Sequence, residues 1–78
     1  MELQLNLLRQ GDCAVVKELL LDGAMQRRLA EFGFIEGTEI LCVRPGRRSG
    51  PSIYRVRGTM LALRNADCRN VYVELCEP

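Results

Sequence analysis

Residues 24–40, AMQRRLAEFGFIEGTEI, carry the passage from helix to strand on which the fold turns. Met25, Leu29 and Phe32 recur at i, i+4 and i+7, which stacks them on one helical face, with Arg27, Arg28 and Glu31 on the other. Gly33 stands where a left-handed residue ends a helix, and Phe34 where an apolar side chain folds back onto the last turn. Gly37 offers a second permissive backbone position before Thr38 and Ile40 begin an extended run.

Upstream of this stretch, Asp22 or Gly23 can cap the helix. Cys13 to Leu19 reads as a strand, with Val15 and Val16 raising its β propensity and Gly11-Asp12 turning into it. Leu3, Leu5, Leu7 and Leu8 mark an N-terminal segment that docks its apolar side on the domain. Downstream, Thr38 to Arg44 is a second strand, with Ile40 and Cys42 on one face and Leu41 and Val43 on the other. Apolar residues on both faces predict that it is covered on each side. Residues 45–51, PGRRSGP, have the chemistry of a loop.

Ser52 to Arg57 and Met60 to Arg64 read as a hairpin about Gly58-Thr59, with glycine first as a type II′ turn requires. That register pairs Arg57 with Met60, Val56 with Leu61 and Tyr54 with Leu63. It puts Tyr54, Val56, Leu61 and Leu63 on the core face, and Ile53, Arg55, Arg57, Met60, Ala62 and Arg64 on the outer one. Asn65 to Asn70 suits a 3₁₀ turn, and Val71, Val73 and Leu75 alternate through a last strand. The expectation is a mainly β fold. It is a small barrel or sandwich of about five strands, with one short α-helix between the first and second strands and that helix plugging an open end through Met25, Leu29, Phe32 and Phe34.

Seventy-eight residues make one domain, 1–78, with a limited core. An apolar fraction of 47% is that of a folded chain, and only four residues are aromatic, so the core must rest on Leu, Val, Ile, Met and Cys. MELQLNLLRQ lacks the basic and apolar regions of a signal peptide, and no run is long enough to span a bilayer; a cytoplasmic location without membrane insertion is expected. Cys13, Cys42, Cys68 and Cys76 are irregularly spaced and read as reduced thiols filling core or surface positions. Histidine is absent, no P-loop occurs and no nucleophile–base set can be composed, so an enzyme is not expected, nor a cofactor or a dedicated metal site, while adventitious binding of a divalent metal through Cys or Glu, shared between subunits, is left open. Charge is asymmetric: residues 44–69 carry seven arginines against Asp67 alone, which points to an acidic partner for that half.

Three blocks together resemble the ferrous iron transport protein A (FeoA) family. They are Leu5…Gly11 leading into Val15-Val16…Leu19, then Arg27 to Ile40, similar to the family's R-x-L-x-x-x-G-(aliphatic)-x-x-G-(small)-x-(aliphatic) signature, and Val56 to Arg64, similar to its aliphatic-Ala-Leu-Arg hairpin. Glu36 stands where family members often have proline before the second glycine. The resemblance implies an SH3-like barrel. It also implies a small cytosolic accessory protein that binds and modulates the membrane transporter FeoB, through FeoB's cytosolic GTPase domain.

The hairpin's outer face supplies the candidate partner surface: Ile53 and Met60 lie among Arg55, Arg57 and Arg64, the mixture of apolar anchors and arginine that interface cores favour. A sharper reading makes Arg47 or Arg48, in the loop, an arginine finger on FeoB's nucleotide. Weak self-association is left open. Two other readings stand beside these. A nucleic-acid-binding SH3-like module is disfavoured by a net charge of only +1 and by Tyr54 being the basic half's sole aromatic. A metal-responsive regulatory domain, akin to the C-terminal domain of iron-dependent repressors, lacks histidine for a ferrous site.

Overall fold

In the computed structural model, which describes residues 1–46 and 50–76, the helix end in the 24–40 stretch is made as its sequence requires. Helix α1 (Gly23–Glu31) opens on Asp22, whose side chain accepts a hydrogen bond from the Met25 amide at 2.9 Å. It closes with Gly33 at φ +86. The Gly33 amide donates to the Ala30 carbonyl and the Phe34 amide to the Leu29 carbonyl, both at 2.9 Å, the paired bonds of a Schellman motif. Phe34 and Leu29 are both buried, the apolar contact that accompanies this motif. At the other end of the helix, the Gln26 side-chain amide donates to the carbonyls of Leu19 and Leu21, tying α1 to the strand before it.

Among the described residues six strands form one sheet: β1 (Glu2–Gln4), β2 (Cys13–Leu19), β3 (Glu39–Arg44), β4 (Ser52–Val56), β5 (Thr59–Leu63) and β6 (Val71–Leu75). Their order is β1-β6-β2-β3-β4-β5, with every neighbouring pair antiparallel. Register shifts between Val16 and Glu18 and between Cys42 and Arg44 put bulges in β2 and β3, which sharpen the local twist and roll the sheet. The inner face buries Ala14, Val16, Ile40, Cys42, Tyr54, Val56, Val71 and Val73. Leu5 and Leu8, about a 3₁₀ turn over Leu5–Leu7, cover one side of this core, and Leu29 with Phe34 another.

Tyr54 lies at the centre, 1% exposed, and its hydroxyl donates to the Leu5 carbonyl at 3.3 Å. Burial pushes its pKa up, so the phenol stays neutral and keeps this bond at any ordinary pH.

Several expectations are corrected. The sheet has six strands rather than five: residues 2–4, read as a docking segment, pair with β6 as a short edge strand. It is rolled but not closed, with β1 and β5 as its edges. The hairpin turns on Arg57-Gly58, not Gly58-Thr59: both have positive φ, +50 and +80, as a type I′ turn needs. Val56 therefore faces Thr59, Tyr54 faces Leu61, and Ile53 faces Ala62. This register differs from the expected one by two residues, which leaves every side chain on its expected face, because only an odd slip exchanges faces.

Arg57 lies in the turn rather than at the end of β4, and Arg64 beyond β5, where it precedes a short helix α2 (Asn65–Cys68) in place of the expected 3₁₀ turn. Phe32 does not plug the core. It is the residue after the helix, at φ −99 and ψ +5, and leaves the helical path that the i+7 spacing assumes; it is 46% exposed. Leu41 and Val43 are half-buried on the outer face, and Leu41 is shielded by its cross-strand neighbours Cys13 and Arg55 rather than by a second layer.

Gly33 is doubly constrained. A Cβ there would lie 2.5 Å from Cδ of Arg57, and an L side chain is strained at φ +86. Gly33→Ala is expected to lower unfolding stability by about 1–2 kcal/mol, read by urea denaturation, from the left-handed conformation alone. Gly11→Ala also meets positive φ, at +90, but its Cβ would touch nothing within 4 Å. It should therefore cost less than Gly33→Ala.

Candidate partner-docking groove

β5 ends the sheet order, so among the described residues one row of its backbone N–H and C=O groups has no strand beside it. Alongside this edge, α1 stands off from the strand and leaves an open groove of about 300 Å³. Met25, Leu29 and Phe32 line it from the helix and Leu61, Ala62 and Leu63 from the strand, while Arg28, Arg64 and Asp67 form its rim. The helical spacing that places Met25 over Leu29 supplies one wall. The other comes from the pleat, which turns Leu61 and Leu63 inward. Arg64 Nε lies 3.5 Å from Asp67 Oδ2; Asp67 is half-buried, but the arginine side chain is itself exposed and open to a partner.

The hairpin's outer face meets the groove at the same edge. Arg55 and Met60 are directly opposed across β4 and β5, both exposed, Met60 at 51%. Ile53, opposite Ala62, is half-buried. The structure thus keeps Ile53, Arg55 and Met60 together as the sequence indicated. Arg57 departs from them: its side chain lies over Gly33, at the C-terminal end of α1, where a cation is favourably placed against the helix dipole. Arg64 belongs to the groove rim rather than to the hairpin face. Arg47 and Arg48 lie outside the described residues. Phe32 is a groove residue that sequence reasoning missed as a partner contact. The signal available for Phe32 was its place immediately before the terminating glycine, where helical periodicity stops applying.

The four cysteines divide into two kinds. Cys42 and Cys68 are fully buried, as fillers of the core, and burial raises both thiol pKa values. Cys13 and Cys76 are half-buried on the opposite side of the sheet, their sulfurs 3.0 Å apart with Glu39 beside them, a cluster that the irregular sequence spacing concealed. The Cys13 thiol is pushed up to about 12 by its hydrogen bond with Cys76, then by burial and by the neighbouring Glu39.

A small rolled β-sheet with α1 beside it, and an apolar, arginine-rimmed groove at an open edge, defines an SH3-like domain. Residues 3–75 match the FeoA domain, and the chain belongs to that family. It is 32% identical over 73 residues to an Fe(2+) transport protein A/Fe(2+) transporter FeoB fusion protein of Porphyromonas gingivalis; the match covers 94% of this chain and 9% of that much longer relative. The solved FeoA of Stenotrophomonas maltophilia, a prokaryotic SH3-domain protein complexed with zinc, superposes with a TM-score of 0.77 at 33% identity. That match covers 92% of this chain and 89% of the other. The solution structure of FeoA from Chlorobium tepidum gives a TM-score of 0.89 at 24% identity over 96% of this chain and 71% of its own. The family ties the chain to ferrous iron transport. No helix among the described residues is long and apolar enough to cross a membrane.

Alkylation under native conditions should separate the thiols. Cys13 and Cys76 are expected to be modified first, and Cys42 and Cys68 only on unfolding, with intact mass giving the count. Because Glu39 contributes to the raised Cys13 pKa, Glu39→Gln should leave more thiolate at a given alkaline pH and speed modification of Cys13.

Proposed function

We propose that this chain is a non-enzymatic accessory protein of ferrous iron uptake that acts in the cytosol by docking on the GTPase-bearing part of the FeoB transporter. The observation that carries the reading is the apolar groove between α1 and β5, rimmed by Arg28 and Arg64 beside an unpaired strand edge. Support comes from the fused relative, in which the two components share one polypeptide and so meet at high effective concentration.

The chemistry of the groove specifies what it would take. An extended or helical segment with apolar anchors fills the space between Met25, Phe32 and Leu61, and acidic residues flanking those anchors meet the arginines. Exposed Arg55 and Met60 extend the same contact over the hairpin. Arginine on the rim speeds and orients encounter, while the apolar floor supplies most of the affinity. Fixing a partner against the GTPase domain is a way to bias its conformational equilibrium without a catalytic group from this chain.

The test is capture of the FeoB cytosolic domain by the full chain, alongside GTP hydrolysis by that domain. Phe32→Asp with Arg64→Glu should weaken binding by roughly thirty-fold or more, the scale of one lost interface anchor of about 2 kcal/mol. Arg55→Glu with Met60→Asp should weaken it less, and raised salt should slow association. Equal capture by wild type and both variants would remove the groove and the hairpin from the interface. Wild-type binding with unchanged GTP hydrolysis would leave docking intact and discard the effect on the GTPase.

A further inference from the structure

Cys13, Glu39 and Cys76 come together on the outer face of the sheet, away from the groove. Cys13 opens β2 and Cys76 follows β6. The two are cross-strand neighbours: the Cys76 amide donates to the Cys13 carbonyl at 2.9 Å, and their sulfurs are 3.0 Å apart. Glu39 opens β3 opposite Val15, two residues along from Cys13 on the same face, so its carboxylate lies on the diagonal and reaches Cys76 Sγ at 3.6 Å. One ligand atom from each residue falls within 4.8 Å of the other two.

Nothing in packing requires this arrangement. Core-filling thiols are already supplied on the inner face by Cys42 and Cys68, both at 0% exposure, whereas these two point outward and are half-buried. A divalent ion can draw on both sulfurs and the carboxylate at once, because one donor atom from each of the three residues already lies within 4.8 Å of the others. Two sulfurs and one carboxylate oxygen match the donor preference of zinc-class ions over the harder magnesium and calcium. Tetrahedral zinc, with Zn–S of about 2.3 Å, holds two sulfurs about 3.8 Å apart. Rotating two half-exposed side chains on neighbouring strands can open the pair that far.

We propose that Cys13, Glu39 and Cys76 form a site for one divalent transition-metal ion of the zinc class, bound by two thiolates and a carboxylate with a fourth position open. The ion joins the end of the last strand to β2 and β3 and cross-links residues 63 apart in sequence. Binding displaces the thiol protons, so affinity rises with pH. An open fourth position accepts water in the isolated domain or a ligand from elsewhere, which sets this site apart from a closed structural one.

The experiment is a titration of the reduced full chain with Co(II), followed by Zn(II). A thiolate-to-cobalt charge-transfer band with tetrahedral d–d bands is expected. It should saturate at one ion per chain, be lost when zinc displaces the cobalt, and disappear in Cys76→Ser. Glu39→Gln should keep the band but weaken binding by about tenfold or more, and Cys42→Ser should leave it unchanged. Zinc should raise the Tm of the wild type and not of Cys76→Ser, whose fold is checked by circular dichroism; it should also shield Cys13 and Cys76 from alkylation. No charge-transfer band, a band that survives both Cys13→Ser and Cys76→Ser, or saturation at one ion per two chains would each overturn the site. FeoB is absent from this measurement, so its outcome is independent of the docking reading.

Discussion

The structure depends on one backbone conformation, the left-handed Gly33 that ends α1. With the helix stopped there, the Phe34 amide bonds back to Leu29 and the Phe34 ring turns into the core, where it is wholly buried. The chain leaves directly for Gly37, whose amide donates to the Val16 carbonyl at 2.7 Å, and from there β3 joins β2. A helix running one turn longer would carry Phe34 away from Leu29 and cost the sheet this entry. Gly33 also leaves room on its other side for Arg57, so the hairpin tip and the helix end pack through a position where a Cβ would press on the Arg57 side chain. Helix, sheet and hairpin therefore share one constraint.

That constraint sets the character of the candidate site. Stopping α1 with Phe32 just past its last turn leaves this ring at the lip of the groove instead of in the core. A 78-residue domain has little apolar surface to spare, and leaving Phe32 and Met60 about half exposed gives up stabilisation that burial would supply, on the order of 1 kcal/mol each. Met60 belongs to β5 and Phe32 faces that strand across the groove, where the sheet of the described residues ends. Exposed apolar groups, an open edge and unburied arginines in one place have a common rationale as a contact surface.

Much of this was legible in the residues. The Asp22 cap, the Gly33 stop, the return of Phe34 and the inner and outer faces of the hairpin all follow from local chemistry, because each is decided within a few residues. The hairpin's exact pairing was not, since alternation reports only which face a residue occupies and is satisfied equally by registers two residues apart. The choice fell to the turn, where Arg57 accepts positive φ so that a type I′ geometry can match the twist of the strands. β1 escaped notice because a three-residue edge strand is held mainly by backbone pairing with β6, assisted by the terminal ammonium on Glu74 at 3.1 Å. The thiol cluster escaped because its members are brought together by strand order: β2 lies between β3 and β6, which are distant from one another in sequence.

That strand order also fixes how the two surfaces relate. β2 is the central link of the Cys13–Glu39–Cys76 cluster, and the groove lies three places along the sheet at β5. β3 belongs to the cluster through Glu39 and carries β4 directly; Leu41, between them, faces Cys13 on one side and Arg55 on the other. An ion held by Cys13 and Glu39 would sit on the same cross-strand row that ends at the exposed Arg55–Met60 pair. Influence along that row requires the partner-bound and free forms to differ in strand geometry, since an ion that binds both forms equally shifts neither. The bulge between Cys42 and Arg44 is where this row can yield, because a bulge already breaks the regular ladder between β3 and β4.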